Sequence, residues 1–151
     1  MLKIEKNMID LRQRAQANKK GHPFSAVIVE RPTSRSIVAV NKVIAAKDPT
    51  AHAEIEAIRK AGKKGFNFED CIIICSGEPC PMCATAIAWA GMKEVYYLDS
   101  HKIANEKGYC FDQDVHRVNR LLNLGLRIGR SARYVIVPTR ANTVRNDCQN
   151  M

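Results

Sequence analysis

Apolar residues at the start of the chain follow first a helical and then a strand period. Over residues 2–19 they are spaced by four, three and four positions, which predicts one face of an amphipathic helix ended by Gly21 and Pro23. Two runs rich in β-branched residues follow at 24–29 and 36–40. The polar segment between these runs predicts a turn, so we expect an antiparallel hairpin.

Helices and strands alternate along the rest of the chain. Alanine-rich sequence predicts a helix over residues 51–61, closed by Gly62 and Gly65. The continuous apolar run at 71–75 predicts a central strand that is covered on both faces. The remaining predicted elements are a helix at 80–91, a strand at 94–98, a helix at 115–124 and a strand at 134–137. This alternation predicts an α/β domain with helices on the faces of a mostly parallel sheet, entered through the hairpin.

Size and composition fit one soluble domain over residues 1–151. The chain is 46% hydrophobic and 26% charged, which excludes a disordered or collagen-like protein. No apolar run approaches the roughly 18 residues that would span a membrane. The net charge of +9 suggests an anionic partner such as a nucleic acid. Seven arginines and one acid fall in residues 115–151, so the excess charge belongs mainly to the C-terminal quarter.

The N-terminus and the cysteines indicate a cytoplasmic location. The first residues hold neither an apolar stretch nor a small-residue cleavage site, so we expect no secretory signal. Without export, the six cysteines are expected to stay reduced, and closely spaced ones then indicate metal binding or catalysis. Cys71 and Cys75 lie in an apolar run and are expected to be buried small side chains.

Three residues have the chemistry and spacing of a metal site. Cys80 and Cys83 are three residues apart behind Pro79, so a helix that begins there carries both thiols on one face of its first turn. The helix dipole favours thiolates at that position. His52 lies near the start of the preceding predicted helix. One imidazole and two thiolates are the three protein ligands of a catalytic zinc site, in which the fourth position is left for water.

Glu54 follows the histidine by two residues and therefore does not share its helix face. A carboxylate on a different helix face from the histidine is a poor second ligand for the same metal ion, but it is suited to transfer a proton from water to a leaving group. Two structural interpretations compete: a redox Cys-x-x-Cys pair, and half of a structural zinc ribbon. A redox pair would follow the first strand of a thioredoxin-like pattern, whereas this pair lies in the middle of the chain. A zinc ribbon needs a second Cys-x-x-Cys, which the sequence does not contain. The sequence therefore favours a catalytic site.

The segments 48–55 and 78–83 resemble the cytidine deaminase-like superfamily, in which His-x-Glu is followed by Pro-Cys-x-x-Cys. The resemblance covers about residues 1–115. Within the superfamily it is strongest to bacterial guanine deaminases and tRNA adenosine deaminases. It implies a three-layer α/β/α fold with a five-stranded mixed sheet, in agreement with the order of elements above.

The same resemblance implies a role for each residue of the metal site. One Zn²⁺ per chain is held by His52, Cys80 and Cys83, and Glu54 is the proton shuttle. Glu54 takes a proton from the attacking water and then protonates the ring nitrogen and the leaving ammonia. The expected chemistry is thus hydrolytic deamination of an amino-substituted ring.

Substrate contacts are also implied by the resemblance. Asn41 matches the asparagine that both groups of enzymes use on the substrate ring, and Phe24 and Trp89 match guanine deaminase positions. Asp112 resembles an aspartate that contacts the base in guanine deaminases, with Asp114 as a rival. From the residues alone each has a structural interpretation as well: core packing for the aromatic residues, a turn for the asparagine, and a solvated loop for the aspartates.

The function that the resemblance implies is deamination of a free nucleobase by a homodimer, with guanine as the first candidate and isocytosine- or pterin-like rings next. The tail, residues 138–151, carries neither the aromatic helix of the tRNA enzymes nor the aromatic segment of guanine deaminases. Two alternatives stay open. One is a tRNA-specific adenosine deaminase, which the charge favours. The other is an inactive deaminase fold that holds a structural zinc or binds RNA, against which the intact Glu54 argues.

Overall fold

The computed structural model describes residues 3–92, 94–99 and 133–136, with side chains described at 10–92 and 94–99. Its helices are α1 (Lys3–Gln16), α2 (Val43–Ala46), α3 (Ala53–Lys63) and α4 (Pro81–Trp89), with a 3-10 turn at Phe68–Asp70. Its strands are β1 (Ser25–Glu30), β2 (Ser36–Val40), β3 (Cys71–Gly77), β4 (Glu94–Asp99) and β5 (Arg133–Ile136).

The strands form one mixed sheet in the order β2-β1-β3-β4-β5. β1 pairs antiparallel with both β2 and β3, whereas the pairs β3–β4 and β4–β5 are parallel. The expected hairpin and the mixed α/β sheet are confirmed, and β3, β4 and β5 are parallel as expected. Among the described strands β1 runs opposite to the others, because the connection from β2 through α3 to β3 passes over it.

Helices cover both faces of the sheet because each strand alternates its apolar side chains between the two faces. On one face, Ile73 of β3 shares a buried cluster with Ala57 of α3 and Ile87 of α4. On the other face, Ile74 shares a second cluster with Leu11 of α1. Every residue of β3 is buried as a result, as expected for a central strand covered on both faces.

The bounds of some elements differ from the sequence prediction. α1 ends at Gln16, before the predicted end. Gly62 lies within α3, which ends beyond it, and Gly65 follows with a φ of +67°. α2 and the 3-10 turn are too short to show a hydrophobic period. The predicted helix at 115–124 lies outside the described residues. None of the described helices has the length and apolar composition needed to cross a bilayer.

Candidate metal centre

The first turns of α3 and α4 lie at the same end of the sheet. α3 follows β2 and α4 follows β3, and these strands run in the same direction because both are antiparallel to β1. His52 is the N-cap residue of α3, and Cys80 is the N-cap residue of α4. Both residues therefore stand at the carboxyl ends of strands, where α/β sheets commonly bind ligands.

The structure brings His52, Cys80 and Cys83 together, with one ligand atom of each within 4.8 Å of the others. Nδ1 of His52 is 3.6 Å from the Sγ atom of Cys80 and 3.6 Å from that of Cys83. A tetrahedral zinc ion with ordinary Zn–N and Zn–S bond lengths holds a nitrogen and a sulfur about 3.6 Å apart. The donor set and its spacing therefore fit Zn²⁺.

Cys80 is the ligand of this cluster that loses its proton most readily. Hydrogen bonding with Cys83, helped by His52, lowers the pKa of Cys80 to about 4. Hydrogen bonding with Cys80 and burial raise the pKa of Cys83. Hydrogen bonding with Cys80 raises the pKa of His52. Cys80 is therefore the thiolate of the cluster, stabilised by its two neighbours and by a helix N-terminus that favours negative charge. Zinc binding would release the protons that the raised pKa values keep on Cys83 and His52.

Glu54 lies beside the cluster rather than within it. Its side chain is 8% exposed, and Oε2 is 3.6 Å from the Sγ atom of Cys83. Burial raises the pKa of Glu54 to about 7. A carboxyl group that titrates near neutrality can both accept and donate a proton at working pH. Position and environment therefore suit the proton-transfer role that the sequence predicts.

Asn41 and Phe24 lie at the same end of the sheet. Asn41 follows β2, is 2% exposed, and donates its backbone N–H to the carbonyl oxygen of Phe24 at 2.9 Å. The ring of Phe24 lies against Gly77 at the end of β3, so closely that a Cβ on that glycine would be 3.2 Å from the ring. Gly77 leads into the segment that carries Cys80, and the backbone N–H of Lys42 donates to the carbonyl oxygen of Ala51, just ahead of His52, at 2.8 Å. Both predicted substrate contacts therefore adjoin segments that carry the metal ligands.

Trp89 is not brought to the cluster. It ends α4 with 91% of its surface exposed. It lies six residues after Cys83, which is about 9 Å further along the helix axis and on a different helix face. This exposed placement gives no support to the expectation that Trp89 forms a wall of the substrate site, which stays a prediction from the sequence. Asp112 and Asp114 lie outside the described residues.

The loop before α3 is held by a turn within the segment 48–55 and by Arg59, which the sequence motifs do not single out. Asp48 Oδ1 accepts hydrogen bonds from the backbone N–H and the hydroxyl of Thr50, at 2.8 and 2.7 Å. Arg59 pairs with Asp48 at 3.5 Å and with Glu56 at 3.1 Å. These contacts fix the loop against α3 just ahead of His52. The Asp-Pro-Thr turn is visible in the sequence, but its pairing with Arg59 is not.

Comparison with known proteins decides the family. Residues 3–99 match the family model of the cytidine and deoxycytidylate deaminase zinc-binding region. The chain belongs to this family. Zinc is therefore the cofactor of this region, and the resemblance drawn from the two motifs is confirmed.

Relatives within the family act on different substrates. The chain is 48% identical to guanine deaminase of Bacillus subtilis over 93 residues, 59% of this chain and 58% of that protein. It is 36% identical to tRNA-specific adenosine deaminase of Aquifex aeolicus over 92 residues, 59% and 60% of the two chains. The chain thus spans about three fifths of these curated relatives. The X-ray structure of the Bacillus subtilis guanine deaminase superposes with a TM-score of 0.63 at 42% identity, covering 72% of this chain and 71% of that one.

Proposed function

We propose that this protein is a zinc-dependent hydrolytic deaminase of a free nucleobase, with guanine as the substrate. The observation that carries the proposal is that His52, Cys80 and Cys83 lie close together beside the buried Glu54. The guanine deaminase of Bacillus subtilis, at 48% identity, supports guanine over other rings. The reaction converts guanine and water to xanthine and ammonia.

His52, Cys80 and Cys83 would hold the zinc ion. Zinc bound there supplies Lewis acidity that makes water a nucleophile near neutral pH. Glu54 would take a proton from the attacking water and pass it to the ring nitrogen. A second proton, from the hydroxyl that the water leaves on the ring carbon, would then pass through Glu54 to the amino group, which leaves as ammonia. Burial suits Glu54 to this work because a raised pKa keeps both protonation states accessible.

Asn41 and Phe24 are the proposed contacts to the ring. The Oδ1 atom of Asn41 already accepts two backbone N–H groups, which leaves its Nδ2 group to donate to the substrate. Phe24 offers an aromatic face to a planar ring. Asp112 stays a prediction from the sequence. Trp89 is left out of the proposal because of its exposed position on α4.

The finer features implied by the family resemblance complete the proposal. We propose a cytoplasmic homodimer built on the full five-stranded, three-layer fold of the superfamily. A second candidate is deamination of adenosine in tRNA. The tRNA-specific relative from Aquifex aeolicus and the arginine-rich residues 115–151 favour it.

Ammonia release from a substrate panel tests these functions. The zinc-loaded protein is incubated separately with guanine, isocytosine, adenine, cytosine, their nucleosides and tRNA. We expect the highest kcat/KM with guanine. Activity on tRNA alone would replace the proposal by the second candidate. If the zinc-bound protein released ammonia from none of these compounds, both candidate functions would be overturned and an inactive zinc- or RNA-binding module would be favoured.

A further inference from the structure

A tight turn at residues 18–22 surrounds Asn41. Nδ2 of Asn18 donates to the carbonyl oxygens of His22 and Asn41, at 2.8 Å each. Oδ1 of Asn18 accepts the backbone N–H of Lys20 at 3.0 Å, which closes the turn on itself. One asparagine side chain therefore joins the end of α1 to the residue that follows β2.

The turn also fixes the orientation of the Asn41 amide. Oδ1 of Asn41 accepts the backbone N–H groups of His22 and Val43, both at 3.1 Å. Rotating the amide by half a turn would place its NH₂ group against these two donors and break both bonds. Among the described residues, Nδ2 of Asn41 has no hydrogen-bond partner. The buried side chain therefore presents a donor, and not an acceptor, to a ligand.

Gly21 leaves the space that this arrangement needs. A Cβ at Gly21 would lie 2.2 Å from Oδ1 of Asn41 and 2.9 Å from its carbonyl oxygen. Both distances are far below van der Waals contact, and the nearer atom is already held by two backbone donors. Any side chain at position 21 would therefore displace the Asn41 amide.

We propose that Asn18 and Gly21 are positioning residues that aim the Nδ2 group of Asn41 at a hydrogen-bond acceptor on the substrate ring. The inference rests on the proposed function, in which Asn41 contacts the ring. Neither positioning residue touches the substrate. They act through Asn41, and they select rings that present a carbonyl oxygen or an unprotonated nitrogen at that point over rings that present an amino group there.

A double-mutant cycle in the full-length, zinc-loaded protein tests this coupling, with guanine as the probe. Asn18→Ala is expected to lower kcat/KM about tenfold in the wild-type background, because the amide loses its alignment. In the Asn41→Ala background the same substitution is expected to have almost no effect. An equal loss in both backgrounds, or no loss in either, would overturn the proposal. Asn67→Ala is the matched control.

The control removes a comparable bond far from the site. Nδ2 of Asn67 donates to Asp70 at 2.7 Å beside the 3-10 turn. Asn67→Ala is expected to leave kcat/KM unchanged. Zinc content and melting temperature are measured for every variant. A loss of kcat/KM that follows melting temperature in both backgrounds would indicate a purely structural role for Asn18 and would also overturn the proposal.

A second measurement does not depend on activity. The side-chain amide signals of Asn41 in an ¹⁵N–¹H spectrum are assigned by their absence from Asn41→Ala. Asn18→Ala and Gly21→Ala are expected to shift or broaden these signals, and Asn67→Ala is not. Unchanged signals in Asn18→Ala and Gly21→Ala would overturn the positioning role, whatever kcat/KM these variants show. A wild-type protein without deaminase activity, with the signals shifted as expected, would instead contradict the proposed function alone.

Discussion

Two buried glutamates lie at opposite ends of the sheet and have opposite environments. Glu30, at the end of β1, is 4% exposed and accepts hydrogen bonds from Arg35, Thr33 and the backbone N–H of Asn67. These bonds, those of Arg35 first, lower the pKa of Glu30 to about 2. Glu54 is 8% exposed, and burial raises its pKa to about 7.

Cysteines at the two ends also have opposite environments, with the lower pKa at the metal end. Burial and the nearby carboxylate of Glu30 raise the pKa of Cys71 to about 11, and its thiol donates to the carbonyl oxygen of Asn67. Hydrogen bonding with Cys83 lowers the pKa of Cys80 to about 4. The same residue types therefore have a structural role at one end of the sheet and a reactive character at the other. What differs is whether neighbouring groups stabilise the neutral or the charged form.

The largest expected effect is at the reactive end. Cys83→Ser should abolish zinc binding at stoichiometric metal, and activity with it, because a neutral hydroxyl is a poor replacement for a thiolate ligand. Cys71→Ser, the same substitution at the other end, should keep its zinc. Metal analysis of the purified proteins checks both. One zinc per chain in Cys83→Ser would show that Cys83 is not a ligand.

Phe24→Leu should lower kcat/KM for guanine by about fivefold to tenfold, mostly through KM, because an aliphatic side chain packs less well on a planar ring. Phe68→Leu is the control, since Phe68 is also half-buried against the same core cluster but lies on the 3-10 turn. Steady-state kinetics separate the two. Equal losses in both variants would mean that Phe24 acts on the core and not on the substrate.

Glu30 should make the stability of the protein depend on pH in a defined window. Its folded pKa of about 2 is below the unfolded value, so its contribution is fully present above about pH 4.3 and is lost as the pH falls towards 2. The melting temperature of Glu30→Gln should therefore lie below that of wild type at pH 6. The difference between the two melting temperatures should disappear on acidification. Zinc is also released at low pH, but this affects both proteins alike and does not change the difference. A gap that widens towards pH 2 would contradict the assignment.

The smallest effect is expected at the end of α4. Trp89→Ala should change kcat/KM by less than about twofold, since exposed residues away from a site are seldom critical and this side chain is 91% exposed. Kinetics on guanine provide the check. A loss of tenfold or more would return Trp89 to the substrate site, where the family resemblance had placed it.

Local patterns in the sequence predicted most of the secondary structure and the metal ligands. The Cys-x-x-Cys spacing behind Pro79 needs only one helix turn to bring both thiols together, and β3 shows its burial as an unbroken apolar run. The position of β1 between β2 and β3 could not be predicted, because strand order depends on contacts between distant segments. The hydrogen bond from Asn18 to Asn41 joins residues 23 positions apart, and no periodic pattern in the sequence indicates it. The exposure of Trp89 likewise depends on how α4 packs.

The central claim is that Glu54 transfers protons at a zinc site that does not need it as a ligand. The most direct test is turnover of guanine by zinc-loaded Glu54→Gln, with zinc content measured on the same sample and Glu30→Gln as the matched control. We expect Glu54→Gln to keep one zinc per chain and lose about 10²–10⁴-fold in kcat, while Glu30→Gln keeps both zinc and turnover. Near-full turnover by Glu54→Gln, or loss of its zinc, would contradict the account.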